Sequence, residues 1–161
     1  MTDASVLNDL PVTHRATIPE AYLDEMGHMN VMWYTHLFSE AAWGLFQRVG
    51  MTREHFVANR AGTFALAQHF RYLKEVRLGQ HVTLRSRILG RSAKRWHTLH
   101  FMTIDELDVL AATSEVVSTY VDMTVRRSAA MPAVVTEAID RLLAEHAKLD
   151  WDAPVCGAMQ P

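Results

Sequence analysis

A carboxylate stands just ahead of a long apolar segment. Asp24 opens the turn-rich stretch D-E-M-G-H-M-N (24–30), and residues 31–49 follow directly. The first turn of a helix leaves backbone N–H groups without intrahelical acceptors, and the helix dipole makes that end positive. A carbonyl oxygen placed against the N–H groups of Asn30 to Tyr34 would be polarised there. Asp24 would be within reach of the carbonyl carbon, or of a water attacking it, and the positive helix end favours the ionised form that either route requires. Donors for a developing oxyanion beside a carboxylate are the parts needed to hydrolyse an activated carbonyl. The plainer account is structural: Asp in a turn before a helix is common, and Asn30 is a good N-cap.

Other polar side chains carry less. Glu40 lies four residues after His36 in the apolar segment, where a partly buried polar pair is the simpler reading. Gln68 and His69 fall in a strand pattern, so alternation directs only one of them inward. The nine histidines (14, 28, 36, 55, 69, 81, 97, 100 and 146) contain no H-E-x-x-H or comparable ligand spacing. His97 and His100, three apart on a strand, face opposite ways, and no metal site is expected. The single cysteine, Cys156, excludes an internal disulfide framework and a thiolate metal cluster.

The elements that must position these residues follow from periodicity. Residues 12–18 alternate and stop at Pro19, a short first strand. In 31–49, twelve of nineteen residues are apolar or aromatic, and only His36, Glu40, Gly44 and Gln47 form a polar seam, so the spacing predicts an embedded helix closed by Gly50. Strands are expected over 63–76, 81–89, 94–104 and 109–127, separated by turns at 78–80, 90–93 and 105–108. Pro132 begins a closing amphipathic helix running to His146 on a stripe of Val134, Val135, Ala138, Ile139, Leu142 and Leu143. Residues 1–10 read as loose, and 150–161 as an irregular tail.

Composition narrows the classes. The 161 residues make one domain, 1–161, with 49% apolar and 21% charged residues. Sixteen Lys and Arg against eighteen Asp and Glu leave a net charge of −2, which gives no general pull on nucleic acid. No apolar run approaches the ~20 residues of a spanning helix. The polar start has no secretory h-region, so a cytoplasmic location is expected.

One strand, an apolar helix, then four strands of an antiparallel sheet form an order in which the sheet wraps the helix. With that order, Asp24-x-x-Gly27-His28-x-Asn30-x-x-x-Tyr34 resembles the signature of hotdog-fold acyl-CoA thioesterases, the 4-hydroxybenzoyl-CoA thioesterase-like group. The segments 69–73, 93–97 and 110–115 also resemble its betainyl-CoA thioesterase branch. The resemblance implies an α+β hotdog fold, with an antiparallel five- to six-stranded sheet wrapped around a long central helix. It implies hydrolysis of an acyl-CoA to free acid and CoA, with Asp24 as general base or nucleophile and the Val31 N–H as oxyanion donor. His28 and Asn30 would shape the pocket around a turn made by Gly27. Some hotdog thioesterases use a helical Glu instead, which would be Glu40. CoA contacts fall to Gly27 and to the basic turn of Arg91, Lys94 and Arg95, with Arg126 and Arg127 nearby in type; a solvated turn is the competing account of these cations. Trp33 would hold a quaternary ammonium, if the acyl group carries one. No metal or redox cofactor is implied, CoA being part of the substrate. The assembly implied is a homodimer or a dimer of dimers, because a lone hotdog leaves sheet edges open. The alternatives are a non-catalytic acyl-CoA sensor or subunit and a hotdog dehydratase, whose different His-containing motif is absent.

Overall fold

The computed structural model describes residues 4–161. In chain order it contains β1 (Val12–Thr17), α1 (Val31–Arg48), α2 (Arg53–Asn59), β2 (Ala61–Tyr72), β3 (His81–Arg91), β4 (Arg95–Ile104), β5 (Val109–Asp122), β6 (Arg127–Ser128) and α3 (Ala133–His146). The strands form one antiparallel sheet of order β1-β3-β4-β5-β2, with β6 folded back on β5, and α1 enters the chain between β1 and β2. This is the α+β arrangement the sequence led us to expect.

Four local features differ from the sequence reading, each for a physical reason. Residues 4–9 form a 3-10 helix, and Leu7 and Leu10 are buried, so this segment is anchored rather than loose; residues 1–3 lie outside the described residues. α2 was not anticipated. The Thr52 side chain accepts from the His55 N–H at 3.2 Å to start it, and Arg60 at φ 46° ends it where glycine would have signalled a stop. β2 leaves the sheet at Tyr72 instead of continuing to 76, because the Leu73 and Lys74 N–H groups both turn to the Ala111 carbonyl. β5 ends at Asp122 rather than 127. The Asp122 carboxylate accepts the Thr124 N–H at 2.7 Å and closes a turn into β6.

The chain, read from sequence as one domain, divides by its contacts into two compact units, neither continuous in sequence. One takes in residues up to Gly44 with Phe70–Arg87 and His100–Ser114. Its core packs Tyr34, Leu37, Phe38 and Ala41 of α1 against Val82, Leu84, Met102, Ile104, Ala111 and Ala112 of the strands. The other comprises Leu45–His69, Ile88–Leu99 and Glu115–Pro161. There Phe46 meets Trp96 edge-on, and α3 buries Val135, Ala138, Ile139 and His146, while Val134, placed by periodicity in the stripe, faces solvent.

α1 is less enclosed than its composition suggests. Val31 and Met32, both apolar, are 57% and 60% exposed, and Thr35, His36 and Ser39 continue that open face. The first turn of the helix is therefore accessible.

Candidate active site

The loop from Leu23 to Asn30 is shaped by its own backbone. Leu23 and Met29 form an isolated antiparallel bridge. The Asp24 N–H donates to the His28 carbonyl and the Gly27 N–H to the Asp24 carbonyl, both at 3.0 Å. Gly27 adopts φ +80°, where a side chain would be strained, so this reversal calls for glycine. The reversal sets His28 Nδ1 3.5 Å from Asp24 Oδ2, while Asp24 Oδ1 accepts the Met26 N–H at 2.9 Å. One carboxylate oxygen is engaged within the loop, and the other faces the imidazole and the open side.

Asn30 caps α1. Its Oδ1 accepts the Met32 N–H at 3.0 Å, and its carbonyl accepts the Trp33 N–H at 2.9 Å. Two donors of the first turn are thereby occupied. The Val31 N–H has no hydrogen-bond partner among the described residues. The capping account and the catalytic account of this loop therefore coexist: Asn30 caps, and one donor stays free.

Asp24, His28, Asn30 and Val31 line a cleft of about 430 Å³. Tyr34 lines it one helical turn further on, and Tyr72, Leu73, Lys74 and Glu75 complete it from the point where the chain leaves β2. The two tyrosine rings meet edge to face at 5.1 Å, Tyr72 stacks on Phe70, and the Tyr34 hydroxyl donates to the Lys74 carbonyl at 3.4 Å. Burial pushes both phenols above their usual range, which keeps them neutral. Glu75 is held below the usual carboxylate range by Arg77, which donates to it through two nitrogens at 2.9 and 3.3 Å. A carboxylate, an unoccupied N–H and an aromatic wall in one cleft can orient a carbonyl, stabilise its oxyanion and move one proton. A larger cleft of about 530 Å³ beside Arg15 lacks this set: there Glu106 bridges His81 Nδ1 and the His81 N–H, at 2.5 and 3.0 Å.

Residues 19–139 match the thioesterase-like superfamily model. The chain belongs to that superfamily. Among its relatives, the betainyl-CoA thioesterase of Pseudomonas aeruginosa is 26% identical over 89% of this chain and 90% of its own length. The L-carnitine dehydrogenase/betainyl-CoA thioesterase of Agrobacterium fabrum is 29% identical over 89% of this chain, which spans only 30% of that longer protein. A Staphylococcus aureus protein solved in complex with CoA superposes with TM-score 0.82 at 24% identity, covering 89% and 90% of the two chains. The hotdog fold is common to this chain and that structure.

Four of the residues expected from the sequence, Asp24, His28, Asn30 and Val31, thus line one cleft, with Gly27 making the turn of its loop. The expected basic set does not join them. Arg91, Lys94 and Arg95 fall in the second unit, and none lines the cleft. Arg91 donates to both carboxylate oxygens of Asp140 on α3 at 2.6 and 2.5 Å, which raises its own pKa and pairs its guanidinium within the chain. The Lys94 and Arg95 side chains are exposed, while their backbones are held by Ser92 and the Lys94 carbonyl accepts from Tyr120 and Thr119.

His36 and Glu40 do not pair by a hydrogen bond. His36 sits edge-on to Tyr22 and Trp33, and the Glu40 charge acts on His14 of β1, whose pKa burial lowers overall. Glu40 does not line the cleft. Trp33 is stacked on Tyr22 at 3.7 Å and does not line it either; the cleft's aromatic wall is Tyr34 and Tyr72. Tyr72, Lys74 and Glu75 were missed from sequence, because the strand pattern ran through them and gave no hint that the chain departs from the sheet there. His97 and His100 diverge as alternation requires, to Glu115 and Ser86 respectively. No helix among the described residues is long and apolar enough to cross a membrane.

Proposed function

We propose that the protein hydrolyses an acyl-CoA thioester to the free acid and CoA in the cleft before α1. The observation that carries this is that Val31, whose N–H has no partner among the described residues, and Asp24 line one cleft at the positive end of a helix. The thioester carbonyl oxygen sits on the Val31 N–H. Asp24 takes a proton from water as the water oxygen bonds to the carbonyl carbon. The resulting oxyanion collapses, the C–S bond breaks, and the leaving sulfur receives the proton from Asp24. Direct attack by Asp24, through a mixed anhydride then opened by water, uses the same geometry and gives the same products. His28, 3.5 Å from the carboxylate, steadies its orientation.

The acyl group we assign is short and cationic, of the betainyl type. Asp24 lines the cleft with Lys74 and with Glu75, which is itself paired to Arg77, and the Tyr34 and Tyr72 rings offer π faces of the kind that attract a quaternary ammonium. The names of the relatives agree with this reading. The active form is a homodimer joined along β2. This strand is a sheet edge, and Phe64 and Leu66 on it are 64% and 47% exposed.

The test is thiol release from a panel of CoA esters: betainyl, its neutral isostere 3,3-dimethylbutanoyl, aromatic and long-chain. Betainyl-CoA turns over fastest, and Asp24→Asn lowers kcat by about 100-fold or more. Full activity in Asp24→Asn overturns the assigned carboxylate, and turnover of none of the esters overturns the reaction.

A further inference from the structure

The second unit gathers three side chains of metal-ligating type from three separate parts of the chain. His69 comes from β2, Glu115 from β5, and Cys156 from the irregular C-terminal segment. One donor atom from each lies within 4.8 Å of the other two. Glu115 is 1% exposed and fixed on both oxygens: His97 Nε2 lies 2.8 Å from Oε1, and the Cys156 N–H donates to Oε2 at 2.6 Å. His69 and Cys156 are exposed in the single chain, so their side chains turn without repacking its core, and His69 lies on the β2 edge assigned above to the dimer.

We infer that His69, Glu115 and Cys156 form a zinc site that clips the C-terminal segment to the sheet. The chemistry selects the ion. An imidazole, a carboxylate and a thiolate are the mixed donors of zinc, and one carboxylate with one thiolate neutralises a divalent charge. Calcium and magnesium require oxygen donors throughout and are poorly served here. Zinc bonds of ~2.0–2.3 Å place tetrahedral donors roughly 3.3–3.8 Å apart. The cluster therefore needs a contraction of about 1 Å, which the two exposed side chains provide around the fixed carboxylate. His97 stands behind Glu115 as the hydrogen-bonded support that ligating carboxylates commonly have. Three protein ligands leave the fourth position to water. Bound zinc would add ligand bonds to the Cys156 N–H contact already tying this segment to Glu115.

The test uses the full chain, stripped with EDTA, dialysed and titrated with ZnCl2 against a chromophoric chelator. The expected result is one zinc per chain with a Kd of about 1 µM or lower. His69→Ala and Cys156→Ser each weaken it by at least about 100-fold, since loss even of outer-shell support costs up to that much. Circular dichroism confirms that both variants are folded. Cobalt(II) gives a thiolate charge-transfer band in the wild type that is lost in Cys156→Ser, and zinc slows proteolysis within 150–161 in the wild type alone. Absence of binding, or binding unchanged in both variants, overturns the proposal. Thioesterase assays do not enter this test, so its outcome is independent of the activity assigned above.

Discussion

Gly44 gives the sharpest test of how α1 is seated, because two effects there have opposite signs. It lies inside α1, where replacing glycine by alanine ordinarily stabilises a helix by about 1 kcal/mol. A Cβ at Gly44, however, would stand 1.9 Å from the Thr13 carbonyl oxygen and 2.8 Å from its carbon. Ordinary contact begins at 3.4 Å, so the β1 backbone would have to retreat by about 1.5 Å. Thr13 is not free to do so: its hydroxyl lies 2.8 Å from Ser86 Oγ and donates to the Leu84 carbonyl at 3.3 Å, beside a register shift in the β1–β3 ladder. Overpacking costs about 1–3 kcal/mol, and loosening the two side-chain bonds about 1 kcal/mol each. After the helix gain is subtracted, Gly44→Ala should destabilise by roughly 2–4 kcal/mol, or lower Tm by roughly 4–16 °C for a chain of this size. Urea unfolding followed by tryptophan fluorescence measures it, with an unchanged m-value as the sign that only stability moved. A variant as stable as the wild type, or more so, would refute the close approach of α1 to β1.

Three further outcomes are expected. His100 is fully buried with Nδ1 2.6 Å from Ser86 Oγ, and burial lowers its pKa to about 4. The unfolded chain therefore binds this proton first, so stability is full above pH 6.5 and falls by about 3 kcal/mol as the pH drops from 6.5 to 4; urea midpoints across that window should show a slope that His100→Gln flattens. Leu66→Lys on the exposed edge strand should convert the proposed β2 dimer to monomer in sedimentation, and an unchanged dimer would remove β2 from the interface. Tyr72→Ala should raise KM for betainyl-CoA by about two- to thirtyfold while leaving the 3,3-dimethylbutanoyl ester nearly unaffected, and equal effects on both would show that the ring packs rather than attracts charge.

The sequence by itself determined the parts whose information is local. Alternation and 3.6-residue spacing located the helix, read as 31–49 and observed as Val31–Arg48, and the strand centres, since each face is written in residue order. The turn of Gly27 and the cap of Asn30 were legible too, because both are set within a few residues. Loss of legibility began where a nonlocal contact overrides the pattern. β2 ends at Tyr72 because the Ala111 carbonyl, 38 residues beyond Leu73, captures two N–H groups, and only that departure brings Tyr72, Lys74 and Glu75 to the cleft. Arg91 reads as a free cation until α3 presents Asp140 to it. The meeting of His69, Glu115 and Cys156 has no trace in spacing, since 46 and 41 residues separate them and a scan for ligand motifs sees only neighbours. Local backbone chemistry is encoded in short windows, whereas the neighbours of a side chain belong to the sheet register, and that exists only once the strands have paired.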